Sequence, residues 1–371
     1  MPKVAIIKCE DYSGSNVQEA VKKLFDLLEF KKLIKPGQKV LLKPNLLMNF
    51  APSKGVTTHP SVVKAVAEIV KECGALPFVG DSPGGIGSMY KKVLQECGMS
   101  GLDIPIADFG SKGMKKFSNP GGKMDPIYIS NEALSYDLVI NIAKMKTHEL
   151  TRITCGIKNM FGCVPGLHKV SYHLNCPYPA DFAKALVELF SRVKPAITIV
   201  DAVVAMEGNG PSNGNLRDVK KIIASADAVS VDAVCSKMMG VEPLEIDTTR
   251  FADQMGLGEG RLENIEIIGG PLEVLKDFQL SGSGITTARK IPRFILNIIK
   301  PLIESLKPRP KINGEKCVKC MMCVNSCPAK AIDGATFKIN PDACIMCFCC
   351  RELCRYGAVE MKGNFLYDRL R

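Results

Sequence analysis

The chain has 371 residues, a formal net charge of +11 and no tryptophan. The charge is uneven: residues 1–283 carry 33 basic and 31 acidic groups, residues 284–311 carry seven and one, and residues 312–371 carry nine and six. Because the excess is concentrated in one short segment and the basic residues do not alternate with aromatic ones, the composition argues against nucleic-acid binding.

Residues 1–283 alternate short apolar segments with helical ones. Segments 39–43, 76–79, 137–142 and 196–200 have the composition of strands, whereas residues 182–193 have the spacing of a helix. Short strands between helices of 10–15 residues are typical of an α/β fold with a mostly parallel sheet and flanking helices. Ligands of such sheets bind at the carboxyl ends of strands, so the residues that follow each strand are the candidate site.

Polar and glycine-rich segments follow four of the predicted strands. They lie at 43–45, 80–85, 144–148 and 207–211, and residues 156–162 add further lysine and glycine. Lysines beside short polar groups and glycines suit a carboxylate or phosphate, held by point charges and backbone N–H groups. We therefore expect an anionic substrate to be bound by Lys43, Asn45, Gly84, Gly85, Lys144, Lys146, Thr147, Lys158 and Asn159. The alternatives are a solvated basic loop at 144–148 and a simple tight turn at 80–87.

Three titratable residues in these segments are candidate catalytic groups that move a proton: Asp81, His148 and Glu207. His148 titrates near neutral pH, which suits general acid–base catalysis. It also begins a set of histidines and cysteines whose spacing fits no standard metal motif: His148, Cys155, Cys163, His168, His173 and Cys176. Whether this set includes a metal site is an open question for the sequence.

Residues 284–311 form a basic connector. Apolar residues from Ile291 to Leu306 fall on one helical stripe that Pro301 interrupts, and residues 307–311 alternate charge with proline. The stripe predicts an amphipathic helix that packs the C-terminal region onto the large domain. The alternative is contact of residues 290–306 with a membrane surface or a partner protein.

The last 60 residues contain a repeated pattern of cysteines. Nine of the sixteen cysteines lie there, and eight of them form two C-x2-C-x2-C-x3-C runs, the second 27 residues after the first. This pattern is typical of bacterial ferredoxins with two [4Fe–4S] clusters, in which the fourth cysteine of each run ligates the other cluster. We therefore assign Cys317, Cys320, Cys323 and Cys354 to one cluster, and Cys327, Cys344, Cys347 and Cys350 to the other.

Two other uses of these cysteines fit less well. A zinc site would leave four cysteines idle, and a disulfide framework would need an oxidising compartment. The sequence has no signal-peptide pattern and no apolar run long enough to cross a bilayer, so we expect a cytoplasmic protein of an anaerobic or facultatively anaerobic cell. Cys349, next to Cys350, is not needed as a ligand in this assignment. It is either a thiol with no role in the clusters or an alternative cluster ligand.

Four motifs in chain order resemble domain-of-unknown-function family 362. They are Lys-Pro-Asn at 43–45, Gly-Asp-Ser-Pro-Gly-Gly at 80–85, Lys-Met-Lys-Thr-His with Gly-Ile-Lys-Asn at 144–148 and 156–159, and Glu-Gly-Asn-Gly-Pro at 207–211. The resemblance covers nearly the whole chain and implies a C-terminal two-cluster ferredoxin domain, but no particular reaction. One departure is Arg355, which follows Cys354 where many such ferredoxin motifs have proline.

The sequence thus predicts an α/β domain at 1–283, the connector at 284–311 and an α+β ferredoxin domain at 312–371. The expected function is that of an iron–sulfur oxidoreductase, in which two [4Fe–4S] clusters pass electrons from a redox partner protein to a small anion in the α/β domain. Two alternatives stay open: an electron carrier whose large domain only docks a partner, and a redox sensor or cofactor-assembly protein.

Overall fold

A computed structural model of the protein describes residues 1–84, 90–166, 168–281 and 309–362. Within these ranges a large, mostly parallel sheet has helices on both faces, and a small ferredoxin-like module with two short antiparallel strands follows at the C-terminus. This confirms the predicted fold class. Most of the predicted connector lies outside the described residues, and so does the stripe at 290–306 for which membrane contact was the alternative.

The strands are defined by backbone pairing. They are β1 (Lys3–Lys8), β2 (Lys39–Pro44), β3 (Leu76–Val79), β4 (Met114–Phe117), β5 (Ile127–Ser130), β6 (Leu138–His148), β7 (Arg152–Thr154), β8 (Ile197–Glu207), β9 (Asn215–Ser225), β10 (Glu266–Ile268), β11 (Arg309–Ile312) and β12 (Val359–Lys362). The large sheet has the order β10-β1-β9-β8-β6-β2-β3, with β7 beside β6. Strands β8, β6, β2 and β3 are parallel, so their carboxyl ends share one edge.

The helices are α1 (Gly14–Leu27), α2 (Pro60–Glu72), α3 (Tyr90–Glu96), α4 (Gly156–Asn159), α5 (His168–Asn175), α6 (Pro179–Phe190), α7 (Ala228–Met238), α8 (Asp247–Gln254), α9 (Met322–Asn325) and α10 (Cys349–Glu352). Helix α2 begins at Pro60, because a first-turn residue needs no intrahelical N–H bond. Of the helices in the described part of the chain, none is long and apolar enough to cross a membrane.

Alternation along the strands produces three layers. In β2, Val40 and Leu42 join a core formed with α1 and α2, whereas Leu41 joins the opposite core with α6. Successive side chains of a strand point to opposite faces, and both faces are covered here. This explains why the strands of the sheet are nearly continuous apolar runs in the sequence.

The C-terminal module repeats its backbone at the 27-residue interval of its cysteines. Helices α9 and α10 start at Met322 and Cys349. The left-handed φ values recur at the same offset, at Lys319 and Met321 and again at Met346 and Phe348. The sequence repeat is therefore also a structural repeat.

One turn of helix in this module docks onto the carboxyl edge of the sheet. Arg351 Nη1 lies 2.7 Å from Glu149 Oε2, and both side chains are largely buried. Ser212 Oγ donates a hydrogen bond to the carbonyl of Glu352 at 2.7 Å. The next residue, Leu353, joins an apolar cluster with Met48, Phe50, Val56 and Met206. Helix α10 thus covers the ends of β6 and β8.

Candidate functional site

Two of the predicted anion-binding lysines form buried ion pairs inside the large domain. Lys43 Nζ lies 2.8 Å from Asp81 Oδ1, and Lys144 Nζ lies 2.9 Å from Asp201 Oδ2. Gly162 packs so closely over the first pair that a Cβ at this position would collide with Asp81 Oδ1. Because a buried charge needs a partner, these carboxylates neutralise Lys43 and Lys144, and both pairs tie neighbouring strands together.

Lys146 belongs to a network of side-chain amides instead. Its Nζ donates to Asn45 Oδ1 at 2.9 Å and to the carbonyl of Val56 at 2.7 Å. Asn45 Nδ2 donates a hydrogen bond to Asn159 Oδ1. Asn159 Nδ2 in turn donates to Asn141 Oδ1 at 2.7 Å. The network fixes the orientation of each amide and connects β2, β6 and α4. Burial lowers the pKa of Lys146 to about 7.

A cavity of about 110 Å³ lies between this edge of the sheet and the C-terminal module. Seven of the predicted site residues line it: Asn45, Asp81, Gly84, Lys146, His148, Lys158 and Asn159. The module contributes Ser326, Cys349, Glu352 and Leu353 to the same wall. The cavity is therefore formed by both domains together.

The charge around the cavity favours an anion. Lys146, Lys158 and Lys169 all line it, and burial lowers the pKa of each, that of Lys169 to about 8. Lys158 Nζ lies 5.6 Å from the ring centres of Phe161 and Phe182 and has no hydrogen-bond or ion-pair partner among the described residues. The Glu352 carboxylate is near enough to raise the pKa of Lys158 but forms no ion pair with it, so this cation is available to an anionic ligand.

His148 connects the two domains across the cavity. The backbone N–H groups of Leu150 and Thr151 both point to its Nδ1, at 3.1 and 3.3 Å, so the ring proton is on Nε2. Nε2 lies 2.9 Å from Glu352 Oε1 of the module. Burial lowers the pKa of His148 to about 4, so the ring is neutral at pH 7. The predicted proton donor thus faces a carboxylate of the other domain.

Helix α4 places Lys158 and Asn159, and Asp232 of α7 holds its first turn. Asp232 Oδ1 accepts from Gly156 N at 2.6 Å, and Oδ2 accepts from Ile157 N at 3.1 Å. These N–H groups have no partner within the helix, so the carboxylate satisfies them as a cap would. Asp232 is a positioning residue that sequence analysis missed.

The sulfur atoms of the module's cysteines lie close to one another. Cys317, Cys320, Cys323 and Cys354 line one small cavity. Burial, followed by the neighbouring Cys347 and Cys344, raises the pKa of the Cys350 thiol, and Cys323 and Cys327 add smaller effects. In both repeats a backbone N–H donates to the last sulfur, from Ala331 to Cys327 at 3.2 Å and from Ala358 to Cys354 at 3.3 Å. Clustered thiols with N–H donors to sulfur fit the ligand chemistry of an iron–sulfur site.

The histidines and cysteines between 148 and 176 do not converge. Cys155 lies beside Cys235 of α7, which helps to raise its pKa, the His168 ring packs at a tilt on Tyr128 with centroids 4.6 Å apart, and Cys176 Sγ contacts the carbonyl of Lys123. Within residues 1–84, 90–166, 168–281 and 309–362, no group of three His, Cys, Asp or Glu side chains is placed to bind a single metal ion.

Several predicted site residues lie away from the cavity because other groups engage them. Thr147 Oγ1 donates to the carbonyl of Gly208, and Glu207 Oε2 accepts from Gln279 N. Lys43 and Lys144 are held in the ion pairs described above, and Gly85 lies outside the described residues. Sequence analysis missed Lys169, His173 and Thr154 as cavity residues. Lys169 and His173 are four residues apart on α5, a spacing that places both on one helix face.

Comparison with known proteins places the chain in a family. A family model described as a domain of unknown function, DUF362, matches residues 40–237, and one described as a 4Fe-4S dicluster domain matches residues 309–355. A relative from Synechocystis sp., the thylakoid-associated protein sll1697, is 34% identical over 280 residues, which are 74% of this chain and 86% of the relative.

Two solved structures are more distantly similar. The lactate racemase apoprotein from Thermoanaerobacterium thermosaccharolyticum has a TM-score of 0.42 and 11% identity, covering 64% of this chain and 57% of that one. A structural-genomics protein from Thermotoga maritima has a TM-score of 0.39 and 12% identity, covering 63% and 61%. The chain spans less than two thirds of either, and similarity at this level does not bear on function.

The DUF362 model covers more than half of the chain, and the cyanobacterial relative is matched over most of its length. The C-terminal match agrees with the cysteine pattern and with the grouping of thiols in the module. The resemblance inferred from the strand-end motifs is confirmed. This protein belongs to the DUF362 family and carries a C-terminal 4Fe–4S domain.

Proposed function

We propose that this protein is an oxidoreductase in which two [4Fe–4S] clusters deliver electrons to a small anion bound in the cavity between the domains. The thiols of Cys317, Cys320, Cys323 and Cys354 would hold one cluster, and those of Cys327, Cys344, Cys347 and Cys350 the other. When bound, such clusters accept and donate electrons one at a time.

The position of α10 carries this proposal. This single turn contains the ligand Cys350 and presents Cys349 and Glu352 to the cavity. Ser326, which precedes the ligand Cys327, lines the same wall. The cavity therefore adjoins the second set of thiols, whereas Cys320 of the first set is exposed to solvent. We infer that electrons from a redox partner protein enter at the exposed set and leave at the set beside the cavity.

The large domain would bind and protonate the anion. Lys158, with Lys146 and Lys169, supplies positive charge in a site that the docked module shields from water, where electrostatic attraction is stronger than in solution. The neutral ring of His148 can orient the anion through Nε2–H at the junction of the domains, but it gives up no proton at pH 7. Protonated Lys146 or Lys169, with pKa values of about 7 and 8, would supply the proton. Asp81 is held by Lys43, Leu46 N and Ser82 N, so its role is to shape the site.

Electron delivery is tested by reoxidation of the clusters. The purified holoprotein is reduced with dithionite, freed of reductant and mixed anaerobically with the small-molecule fraction of a cell extract, while the cluster absorbance is followed. We expect rapid reoxidation of the wild type and slow reoxidation of Lys158→Met. The control is Lys64→Met, which changes an exposed lysine of α2. Equal rates for all three proteins would favour the alternative of an electron carrier.

The number of clusters is tested separately by iron and acid-labile sulfide analysis of anaerobically purified protein. Two [4Fe–4S] clusters require about eight irons and eight sulfides per chain. Reduced protein should also show an EPR signal broadened by interaction between two paramagnetic clusters. About four irons per chain, with a signal from one isolated cluster, would contradict the assignment.

A further inference from the structure

The wall of the cavity contains buried polar atoms that lack a partner. Thr154 is 4% exposed and His173 is 6% exposed, and both line the cavity. Neither Thr154 Oγ1 nor His173 Nδ1 has a hydrogen-bond partner within the described part of the chain. Polar atoms buried in proteins are nearly always hydrogen-bonded. The two atoms therefore indicate a ligand with a hydrogen-bonding group of its own.

Lys158 is placed centrally among the titratable groups of the cavity. Its Nζ lies 5.6 Å from the ring centres of Phe161 and Phe182, and the His173 ring packs against the same two rings, at 6.3 and 4.6 Å between ring centres. Besides burial, the charge of Lys158 accordingly helps to lower the pKa of His173. The pKa of His173, about 4, makes this ring neutral at pH 7. An anion beside Lys158 would thus lie within reach of an uncharged hydrogen-bonding ring.

The volume of the cavity and the apolar residues in its wall limit the kind of anion that it can bind. A volume of about 110 Å³, at roughly 10–15 Å³ for the centre of each water molecule, holds on the order of ten waters, so the ligand has on the order of ten non-hydrogen atoms or fewer. This volume is too small for a whole nucleotide. Leu47, Phe161, Val170 and Leu353 provide apolar wall. Such a wall contacts carbon atoms better than it contacts a fully polar ion such as inorganic phosphate.

We propose that the cavity binds a small carboxylate that carries a second hydrogen-bonding group. Lys158 binds the carboxylate, His173 Nδ1 and Thr154 Oγ1 bind the second group, and the apolar wall contacts the carbon chain. This inference rests on the proposed function, since it names the substrate class of the same site.

Glycolate and propionate form a matched pair of probes, because each has five non-hydrogen atoms and only glycolate has a hydroxyl. Anaerobic calorimetry on the holoprotein should show glycolate binding about tenfold more tightly than propionate, the ratio expected for one or two hydrogen bonds. Thr154→Val and His173→Phe should each reduce that ratio to about threefold or less. Lys158→Met should weaken both ligands, and Lys64→Met should weaken neither.

Three outcomes would overturn the inference: equal affinity for the two probes, a ratio unchanged by Thr154→Val and His173→Phe, or tighter binding of inorganic phosphate. Thr154→Val keeps the shape of the side chain and removes a hydroxyl that bonds to no described residue, so it should fold normally. If glycolate and propionate do not bind as predicted but reoxidation of the clusters still depends on Lys158, the substrate class is rejected and the proposed electron delivery stands. Probe binding without Lys158-dependent reoxidation would instead reject electron delivery.

Discussion

Lys43 and Lys158 both lie at the carboxyl edge of the sheet, but their surroundings differ. Lys43 is buried against the carboxylate of Asp81, whereas Lys158 faces aromatic rings and the cavity. Sequence analysis grouped the two as anion ligands. The sequence could not show that Lys43 is neutralised, because its partner Asp81 lies 38 residues away along the chain. The same is true of Lys144, whose partner Asp201 lies 57 residues away.

Anion binding should weaken as the pH rises. Burial lowers the pKa of Lys146 to about 7 and that of Lys169 to about 8, so both lysines lose their charge between pH 6 and pH 9. Only the protonated lysine attracts an anion, so affinity is highest at the acid end of this range. We expect affinity for the tightest-binding carboxylate to fall about tenfold or more from pH 6.5 to pH 9.

The measurement is calorimetry at several pH values, in buffers that differ in ionisation enthalpy. Binding near pH 8 should take up protons, because an anion raises the pKa of a neighbouring lysine. Affinity that is flat over this range, with no proton uptake, would contradict the assignment of these lysines to the site.

The two lysines should also differ in their effect on stability. Lys43→Met leaves the Asp81 carboxylate buried without its partner, which costs about 3–5 kcal/mol. In a chain of this size that loss lowers Tm by about 10 °C. Lys158→Met removes a cation that has no described partner, so its Tm should equal or exceed that of the wild type. Thermal unfolding of the holoproteins checks this, and an equal loss in both variants would contradict the distinction.

At the scale of elements, the strands and the ferredoxin repeat could be predicted from the sequence. Apolar runs followed by polar residues predicted the parallel strands and the edge of the sheet that carries the candidate site. The 27-residue interval between the cysteine runs predicted the repeated module. Helix α4 could not be predicted, because it is only four residues long. It is held by Asp232, which is 76 residues away from Gly156. The docking of α10 at the end of β6 could not be predicted either, because it depends on contacts between residues far apart in the sequence, such as the ion pair of Arg351 with Glu149.

Asp232 should control anion binding through α4. Asp232→Ala removes both acceptors for the N–H groups of Gly156 and Ile157, at a cost of about 1–3 kcal/mol for the buried donors. Hydrogen exchange should rise at residues 156–159, and carboxylate affinity should fall although Asp232 does not line the cavity. Asp232→Asn keeps one acceptor oxygen and should partly restore both properties. Unchanged affinity together with faster exchange would leave Asp232 with a purely structural role.

At the scale of the whole molecule, the account depends on the module being docked where it completes the cavity. Besides the ion pair of Arg351 with Glu149, the contacts between the domains include a hydrogen bond from Asn213 Nδ2 to the Arg351 carbonyl, and an ion pair of Arg355 with Glu96 at 3.3 Å. Polar bonds therefore surround the apolar contact of Leu353. The module can reach the cavity only while this interface is intact.

Breaking the interface should separate electron uptake from electron delivery. Arg351→Ala leaves Glu149 without this partner, and we expect faster hydrogen exchange at residues 148–154 and 349–352 and slower reoxidation by the small-molecule fraction. The matched control is Arg309→Ala, which removes a bond to the carbonyl of Pro341 within the module. Iron content and reduction by dithionite should stay normal in both variants. A normal reoxidation rate in Arg351→Ala would show that docking is not required.

The most direct measurement of the central claim is hyperfine coupling between the reduced clusters and a bound carboxylate. The tightest-binding carboxylate of the probe series is labelled with ¹³C, added to the dithionite-reduced holoprotein and examined by pulsed EPR. We predict a resolved ¹³C coupling in the wild type that is lost in Lys158→Met, because Cys349, which precedes the ligand Cys350, lines the cavity. A carboxylate that is bound by calorimetry but shows no coupling would place the anion away from the clusters and contradict the account.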